Sequence, residues 1–159
     1  MIILDCKQGT DEWKAARCGI PTASQFSRII TGAGKPSSQA QDYIAELLAE
    51  TVNGQKKSLP TTSDMQRGIE LEPEARAEYI KETWHDVEEI GGIYLSDSKT
   101  IMCSPDGIMS ALNKGLEIKC PRIENHIKYL LADAVPAQYL LQVQGGVWIT
   151  GDETWEFVR

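Results

Sequence analysis

The sequence predicts an α/β (α+β) fold with a mixed central sheet flanked by helices. The order of patterns carries that expectation. Helical stretches come first, short strands broken by turn residues fill 87–120, and more helix precedes a last strand at 154–158. Helices and strands in this order belong to domains in which helices cover a sheet. The chain's 159 residues suffice for one domain with its own core.

The clearest helix lies between two loops, 31–38 and 53–62. Ala40, Tyr43, Ile44, Leu47, Leu48 and Thr51 follow the spacing of one buried face. Ser38 and Gln41 form a capping-box start, and Gly54 marks the stop. A second helix starts at Ser63 with Gln66 and runs toward Trp84. Pro73 interrupts it, because proline lacks the backbone donor and restricts its predecessor. A kink or break is expected near Glu72, at a helix junction. Strands are expected at 87–95, 100–104 and 116–120, with turns at 91–92, 97–98 and 113–115. Helices are expected at 124–131 and 136–149.

Hydrophobic residues at 42% and charged residues at 25% are ordinary for a globular protein and speak against disorder. No apolar run approaches the ~18 residues of a membrane span. The N-terminus lacks the basic and apolar regions of a signal peptide, so a cytosolic protein without membrane partners is expected. Cys6, Cys18, Cys103 and Cys120 form no C-x-x-C pair, and His85 and His126 are the only histidines. That pattern opposes a zinc site or a disulfide frame, and the cysteines read as small buried hydrophobes. With 16 basic and 23 acidic residues the net charge is −7, which opposes a general nucleic-acid binder. The acidic excess serves solubility, or places carboxylates around a divalent cation.

The richest chemistry lies in Cys103-Ser104-Pro105-Asp106-Gly107-Ile108 and Leu116-Glu117-Ile118-Lys119-Cys120-Pro121. On a strand, Glu117 and Lys119 share one face while Leu116, Ile118 and Cys120 bury on the other. Asp106 sits on a turn-prone Pro-Asp-Gly, and a hairpin-like return would bring it beside Glu117. Such a site suits Mg²⁺, a hard cation that takes one or two carboxylates and a carbonyl and keeps several waters. Asp106 and Glu117 would give the carboxylates and Ile118 the carbonyl. Lys119 would hold or deprotonate the attacking water, its pKa lowered by burial and metal charge. By itself this pattern is short; turn chemistry explains Asp106 equally, and a solvated strand pair explains Glu117 and Lys119.

Four blocks in order carry a resemblance over most of the chain. They are Gln8-Gly9-Thr10-Asp11-Glu12-Trp13 with 17–24; Gly68 to Arg76; the two segments above; and Tyr139-Leu140-Leu141-Gln142-Val143-Gln144 running into Thr150. The chain resembles the phage lambda exonuclease, or YqaJ-like viral recombinase, family of the PD-(D/E)XK nuclease superfamily.

The resemblance implies a restriction-endonuclease-like core and a single nuclease domain over 1–159, shorter than relatives that continue past the last strand. It implies Asp106 and Glu117 as metal ligands, Lys119 as the catalytic lysine, and Glu72 as the acid of the helical motif near the metal. Glu72 stands among Glu70, Glu74 and Glu78, and register with Gly68 and Arg76 selects it. Arg17 and Ser24 match positions that bind a 5′-terminal phosphate; an arginine can clamp a phosphate with two parallel bonds. Ser24 also reads as a helix N-cap. Gln142 is favoured by register as the glutamine near the site. Gln144, about 200° away on a helix, falls in the apolar stripe and reads as a buried structural hydrogen-bonder.

The activity implied is a Mg²⁺-dependent DNA exonuclease, with Mn²⁺ as a substitute. It would digest linear duplex from 5′-phosphorylated ends, 5′ to 3′, and leave single strands for phage-type recombination. The implied partners are double-stranded DNA ends, a single-strand annealing protein and further copies of the chain, a trimeric ring in the family. The implied setting is a bacterial host cytosol, with the chain phage or prophage encoded. Arg17, Arg28, Lys35, Lys114, Lys119, Arg122 and Lys128 offer a track for the DNA backbone. A structure- or site-selective endonuclease and a non-catalytic DNA-binding recombination module are the alternatives.

Overall fold

A computed structural model of the chain describes residues 2–57 and 60–159. Strand β1 (Ile2–Leu4) is followed by α1 (Asp11–Ala16), a 3₁₀ helix (Ala23–Arg28), α2 (Ala40–Asn53) and α3 (Ser63–Thr83). Next come β2 (Gly92–Tyr94), β3 (Met102–Cys103), β4 (Gly107–Met109) and β5 (Lys114–Ile118). Helices α4 (Ile123–Ala132) and α5 (Ala137–Thr150) precede β6 (Thr154–Val158).

The α/β arrangement is as expected, with the strands divided into two small sheets. One is antiparallel, in the order β1-β2-β3; the other runs β4-β5-β6, antiparallel and then parallel. Ser104-Pro105-Asp106 lies between β3 and β4. Pro105 is fully buried there and has no N–H to continue a ladder. One core cluster joins Ile93, Cys103, Ile108 and Ile149 with Phe26 and Trp155; a second joins Tyr79, Met109, Leu116 and Ile118. Helix α5 packs on the 3₁₀ helix, where a Cβ at Gly145 would stand 2.6 Å from the Phe26 ring. No helix among the described residues is long and apolar enough to cross a membrane.

Several expectations are corrected. Helix α3 runs unbroken through Pro73, so Glu72 lies within a helix and not at a junction. Pro73 is exposed, which lets water satisfy the carbonyl it leaves free. Gln39, not Ser38, caps α2, without a side-chain bond, while Gly54 ends it in the left-handed conformation as expected. The Thr62 hydroxyl, not Ser63, caps α3 by accepting from the Met65 N–H. Helix α2 is turned away from its apolar stripe: Ile44 and Leu48 are 57% and 61% exposed, while Tyr43 and Glu50 are buried. The reason is polar anchoring. Glu50 accepts from the Gly19 and Lys57 N–H groups, each at 3.0 Å, and Glu46 pairs with Arg28 at 3.1 Å.

Of the expected strand at 87–95, only 92–94 forms, with an isolated bridge at Glu88. Strand β1 and helix α1 had no anticipated counterpart. Ser58 and Leu59 of the expected loop lie outside the described residues; the rest of 54–62 is neither helix nor strand. All four cysteines are free, but Cys103 alone is fully buried.

Candidate active site

The site is built on the β4–β5 hairpin. Gly107 pairs with Leu116, and the Asp106 N–H donates to the Leu116 carbonyl at 2.9 Å. The chain reverses at 110–113, after β4 and not at Pro105-Asp106-Gly107 itself, and the return brings Asp106 beside Glu117 as the hairpin reading required. Asp106 Oδ2 in turn accepts from the Ile118 N–H at 2.7 Å. Strand alternation sends the Ile118 side chain into the core and leaves Glu117 and Lys119 together, in a direct ion pair. Lys119 is fixed from behind by its N–H, bonded to the Val158 carbonyl of β6 at 2.8 Å, and Nζ lies 5.5 Å from the Tyr139 ring centre.

Glu117 is 1% exposed, a charge taken out of water inside a sheet. Its Oε1 accepts from Gln142 Nε2 at 2.5 Å, across from α5. Its Oε2 is buried with no hydrogen-bond partner. Gln144 is exposed rather than buried, because Val143, Gly145, Gly146 and Ile149 face the core and Gln144 lies with Leu140 and Trp148, one turn to either side, on the exposed face. On α3, Glu72 Oε1 meets an Arg76 terminal nitrogen at 2.5 Å.

Burial first, and then the Asp106 charge, push the Glu117 carboxyl up to about 7. Burial likewise raises Asp106, against the pull of Lys119, the Ile118 N–H and Arg76. Glu72 is raised by burial and by Asp106. For Lys119 the expected direction is reversed. Burial alone lowers its pKa, but the Glu117 and Asp106 carboxylates outweigh that and hold it above the ordinary lysine value.

The second half of the site comes from the N-terminal segment. Arg17 is buried at the end of α1, over the Trp13 ring at 4.2 Å. It donates to Ser104 Oγ at 2.7 Å and to Thr22 Oγ1 at 3.4 Å, while its Nε has no partner. Burial lowers its pKa to about 10. Ser24 Oγ lies 3.2 Å from Thr22 Oγ1, so Thr22 links the two candidates. Ser24 sits inside the 3₁₀ helix, whose N-cap is Thr22, and is not the cap expected of it.

A cavity of about 160 Å³ has Arg17, Ser24, Asp106, Glu117 and Gln142 among its lining residues. Glu72 and Lys119 stand outside that lining. A larger cleft, about 950 Å³, is lined by α2 residues, Arg28 and Lys56, and holds none of the candidate catalytic, metal or 5′-phosphate residues. The proposed basic track is largely neutralised: Arg28 pairs with Glu46, Lys114 with Glu156, Lys119 with Glu117 and Arg122 with Asp64.

Among the described residues, no group of three or more His, Cys, Asp or Glu is gathered around one ion position. Arg76 draws Glu72 aside, and Lys119 and Gln142 hold Glu117. The residues still fit a hard divalent cation. Glu117 Oε2 is a buried oxygen without a donor, and burial together with the Asp106 charge raises the cost of charging Glu117, which a cation would relieve.

Sequence reasoning gave no role to Gln8, Trp13, Ser104 or Arg76. Gln8 Nε2 donates to the Pro105 carbonyl at 2.8 Å and the Ile90 carbonyl at 3.0 Å, tying the chain start to the turn that carries Asp106. Trp13 Nε1 donates to the Gly91 carbonyl at 2.8 Å. All four lie inside the motif blocks, and membership there was the available signal.

The model of the YqaJ-like viral recombinase domain matches residues 12–153. The chain belongs to the YqaJ-like viral recombinase family. Among solved structures, this YqaJ-like chain is similar to an alkaline exonuclease, LHK-Exo, from Laribacter hongkongensis: TM-score 0.83, 36% identity, 93% of this chain and 72% of that one covered. A second structure of LHK-Exo, in complex with dAMP, matches with TM-score 0.82, 36% identity and the same 93% and 72% coverage. A phage related exonuclease from Haemophilus somnus 129PT, at 18% identity, TM-score 0.67 and coverage of 87% and 66%, shares the fold. A comparison with curated proteins finds no match.

Proposed function

We propose that this YqaJ-like chain is a Mg²⁺-dependent deoxyribonuclease, an exonuclease that digests linear duplex DNA 5′ to 3′ from 5′-phosphorylated ends. Mn²⁺ is the expected substitute. The observation that carries the reading is the small cavity shared by the buried Arg17, the buried Glu117 and the partly buried Asp106. An end phosphate at Arg17 would set which phosphodiester meets the acids, which favours cutting at ends over cutting within the duplex. LHK-Exo was crystallised in complex with dAMP, a nucleoside monophosphate, which supports a DNA substrate for this chain.

Arg17 would bind the terminal phosphate through its charged nitrogens, aided by the Ser24 hydroxyl. Asp106, Glu117, the Ile118 carbonyl and Glu72 would hold the ion. Bound there, Mg²⁺ supplies a more acidic water and offsets charge on the phosphodiester. Gln142 fixes Glu117 through Oε1 and leaves Oε2 as the unpartnered oxygen. Lys119 Nζ would hold the attacking water, and would take its proton only once the charge of the two carboxylates is offset. On the same reading residues 1–159 form one nuclease domain that supplies single strands to an annealing protein and works as a ring of copies.

The test compares 5′-phosphorylated linear duplex with closed circular duplex in Mg²⁺. Loss of the linear form alone is expected. Equal loss of both forms points to an endonuclease, and binding without cutting in Mg²⁺ or Mn²⁺ points to a non-catalytic module.

A further inference from the structure

Helix α3 places Glu72 and Arg76 one turn apart, at the spacing where side chains meet. Arg76 is 7% exposed. A guanidinium out of water needs acceptors for its rigid fan of donors. Each nitrogen of Arg76 has one. Nε donates to the Asp106 main-chain carbonyl at 2.9 Å, one terminal nitrogen donates to Glu72 Oε1 at 2.5 Å, and the other is ion-paired with Glu89 Oε1 at 2.9 Å. Glu89 is 66% exposed, so that arm contributes little. The other two arms reach the half-buried Glu72 and the main chain of Asp106.

Asp106 is thereby held on every side. Its N–H and its carboxylate are bonded to β5, and its carbonyl is bonded to Arg76. Without Arg76 the carbonyl loses its donor, and Glu72 faces Asp106 with Lys119, already paired to Glu117, as the remaining counter-charge. A lysine, one point charge, cannot serve a carbonyl and a carboxylate in two fixed directions.

We propose that Arg76 is a positioning residue that locks the Asp106 turn and the Glu72 carboxylate in one arrangement, and so sets the affinity of this site for a divalent cation. The inference rests on the reading of Asp106, Glu117 and Glu72 as ion ligands. Mn²⁺ is titrated calorimetrically into the DNA-free protein, as wild type, Glu89→Gln, Arg76→Lys and Arg76→Ala. Wild type and Glu89→Gln should bind alike, and both Arg76 variants should bind about tenfold more weakly or worse. Millimolar methylguanidinium should restore binding to Arg76→Ala, which a lost packing contact alone would not allow. Wild-type affinity in the folded Arg76 variants overturns the inference. So does a folded Arg76→Ala that methylguanidinium fails to restore, or the unfolding of both variants, which makes Arg76 a residue of stability. A wild type that binds Mn²⁺ yet leaves DNA uncut defeats the nuclease reading alone. A wild type that takes up no Mn²⁺ defeats both.

Discussion

Gln142 Nε2 donates to Glu117 Oε1 at 2.5 Å, joining α5 to β5 at the most buried carboxylate of the site. The amide supplies a donor without charge, so it orients Glu117 and leaves the Lys119 pair intact. Its removal should free the carboxylate to rotate without emptying the site. Gln142→Ala should lower the cleavage rate about 10–100-fold, as loss of a group that orients a ligand commonly does. Gln142→Glu should lower it further, because it adds a negative charge beside two acids that already oppose each other. Single-turnover rates on 5′-phosphorylated duplex at saturating Mg²⁺ measure both; unchanged rates would mark the bond as idle.

Arg17 carries the second prediction. It is buried over Trp13, its Nε lacks a partner, and Ser104 and Thr22 occupy its other nitrogens. A phosphate would give that charge a counter-ion. Arg17→Ala should slow digestion of 5′-phosphorylated ends on the order of 10–100-fold, the worth of hydrogen bonds to a charged group. Ends with a 5′-hydroxyl should be affected far less. Arg17→Lys should recover only part of the loss, since one ammonium cannot form the two-pronged clamp. Equal slowing on both kinds of end removes Arg17 from the phosphate role.

What was legible in the sequence follows from the range of each signal. Alternation along Leu116-Glu117-Ile118-Lys119 is local and decides faces by itself, so the pairing of Glu117 with Lys119 needed no knowledge of the rest. The return of Asp106 to Glu117 was legible as a short connection between neighbouring strands, although the reversal falls at 110–113 and Pro-Asp-Gly stands at the open end of the hairpin. Strand β1 is three residues, too short to show a period, and is specified by pairing with β2 ninety residues on. Helix α2 shows the opposite failure. Its apolar stripe was plain, yet Glu50 and Glu46 are tied to Gly19, Lys57 and Arg28, and those distant partners turned the helix. Arg76 was visible only as a letter in a motif, because its partners Glu89 and Asp106 are 13 and 30 residues away.

Two glycines should respond to alanine in opposite directions. A Cβ at Gly92 in β2 would lie 2.6 Å from the Cys103 carbonyl oxygen, main chain that cannot step aside without breaking the β2–β3 pair. Gly92→Ala should cost about 1–3 kcal/mol, as overpacking does. A Cβ at Gly68 in α3 meets nothing within 4 Å. Gly68→Ala should stabilise by about 0.5–1 kcal/mol through helix propensity. At roughly 2–4 °C per kcal/mol for a chain this size, thermal melts resolve both. A Gly92→Ala melt at or above wild type would show that the sheet gives way there.

The last prediction concerns acid, at a polar cluster on the far side of the second sheet. Glu156 on β6 accepts from Lys114 Nζ at 2.8 Å and from the Tyr79 hydroxyl at 2.7 Å. The bonds from Lys114 and Tyr79 lower its pKa below the ordinary 4.5, against a smaller effect of burial. A carboxyl whose pKa is depressed by folding binds fewer protons folded than unfolded in the interval between the two values. Its stabilising contribution is therefore complete above the ordinary value and is lost as pH falls through the folded one. Glu156→Gln removes the titration and keeps the shape, so the variant should melt below wild type at neutral pH. The gap should narrow once pH drops under the ordinary value and close when Glu156 is protonated in the folded protein. Melting temperatures of both proteins, taken from neutral pH to about pH 3, read the gap directly. A gap that stays constant over that range would mean that Glu156 acts through packing and not through its charge.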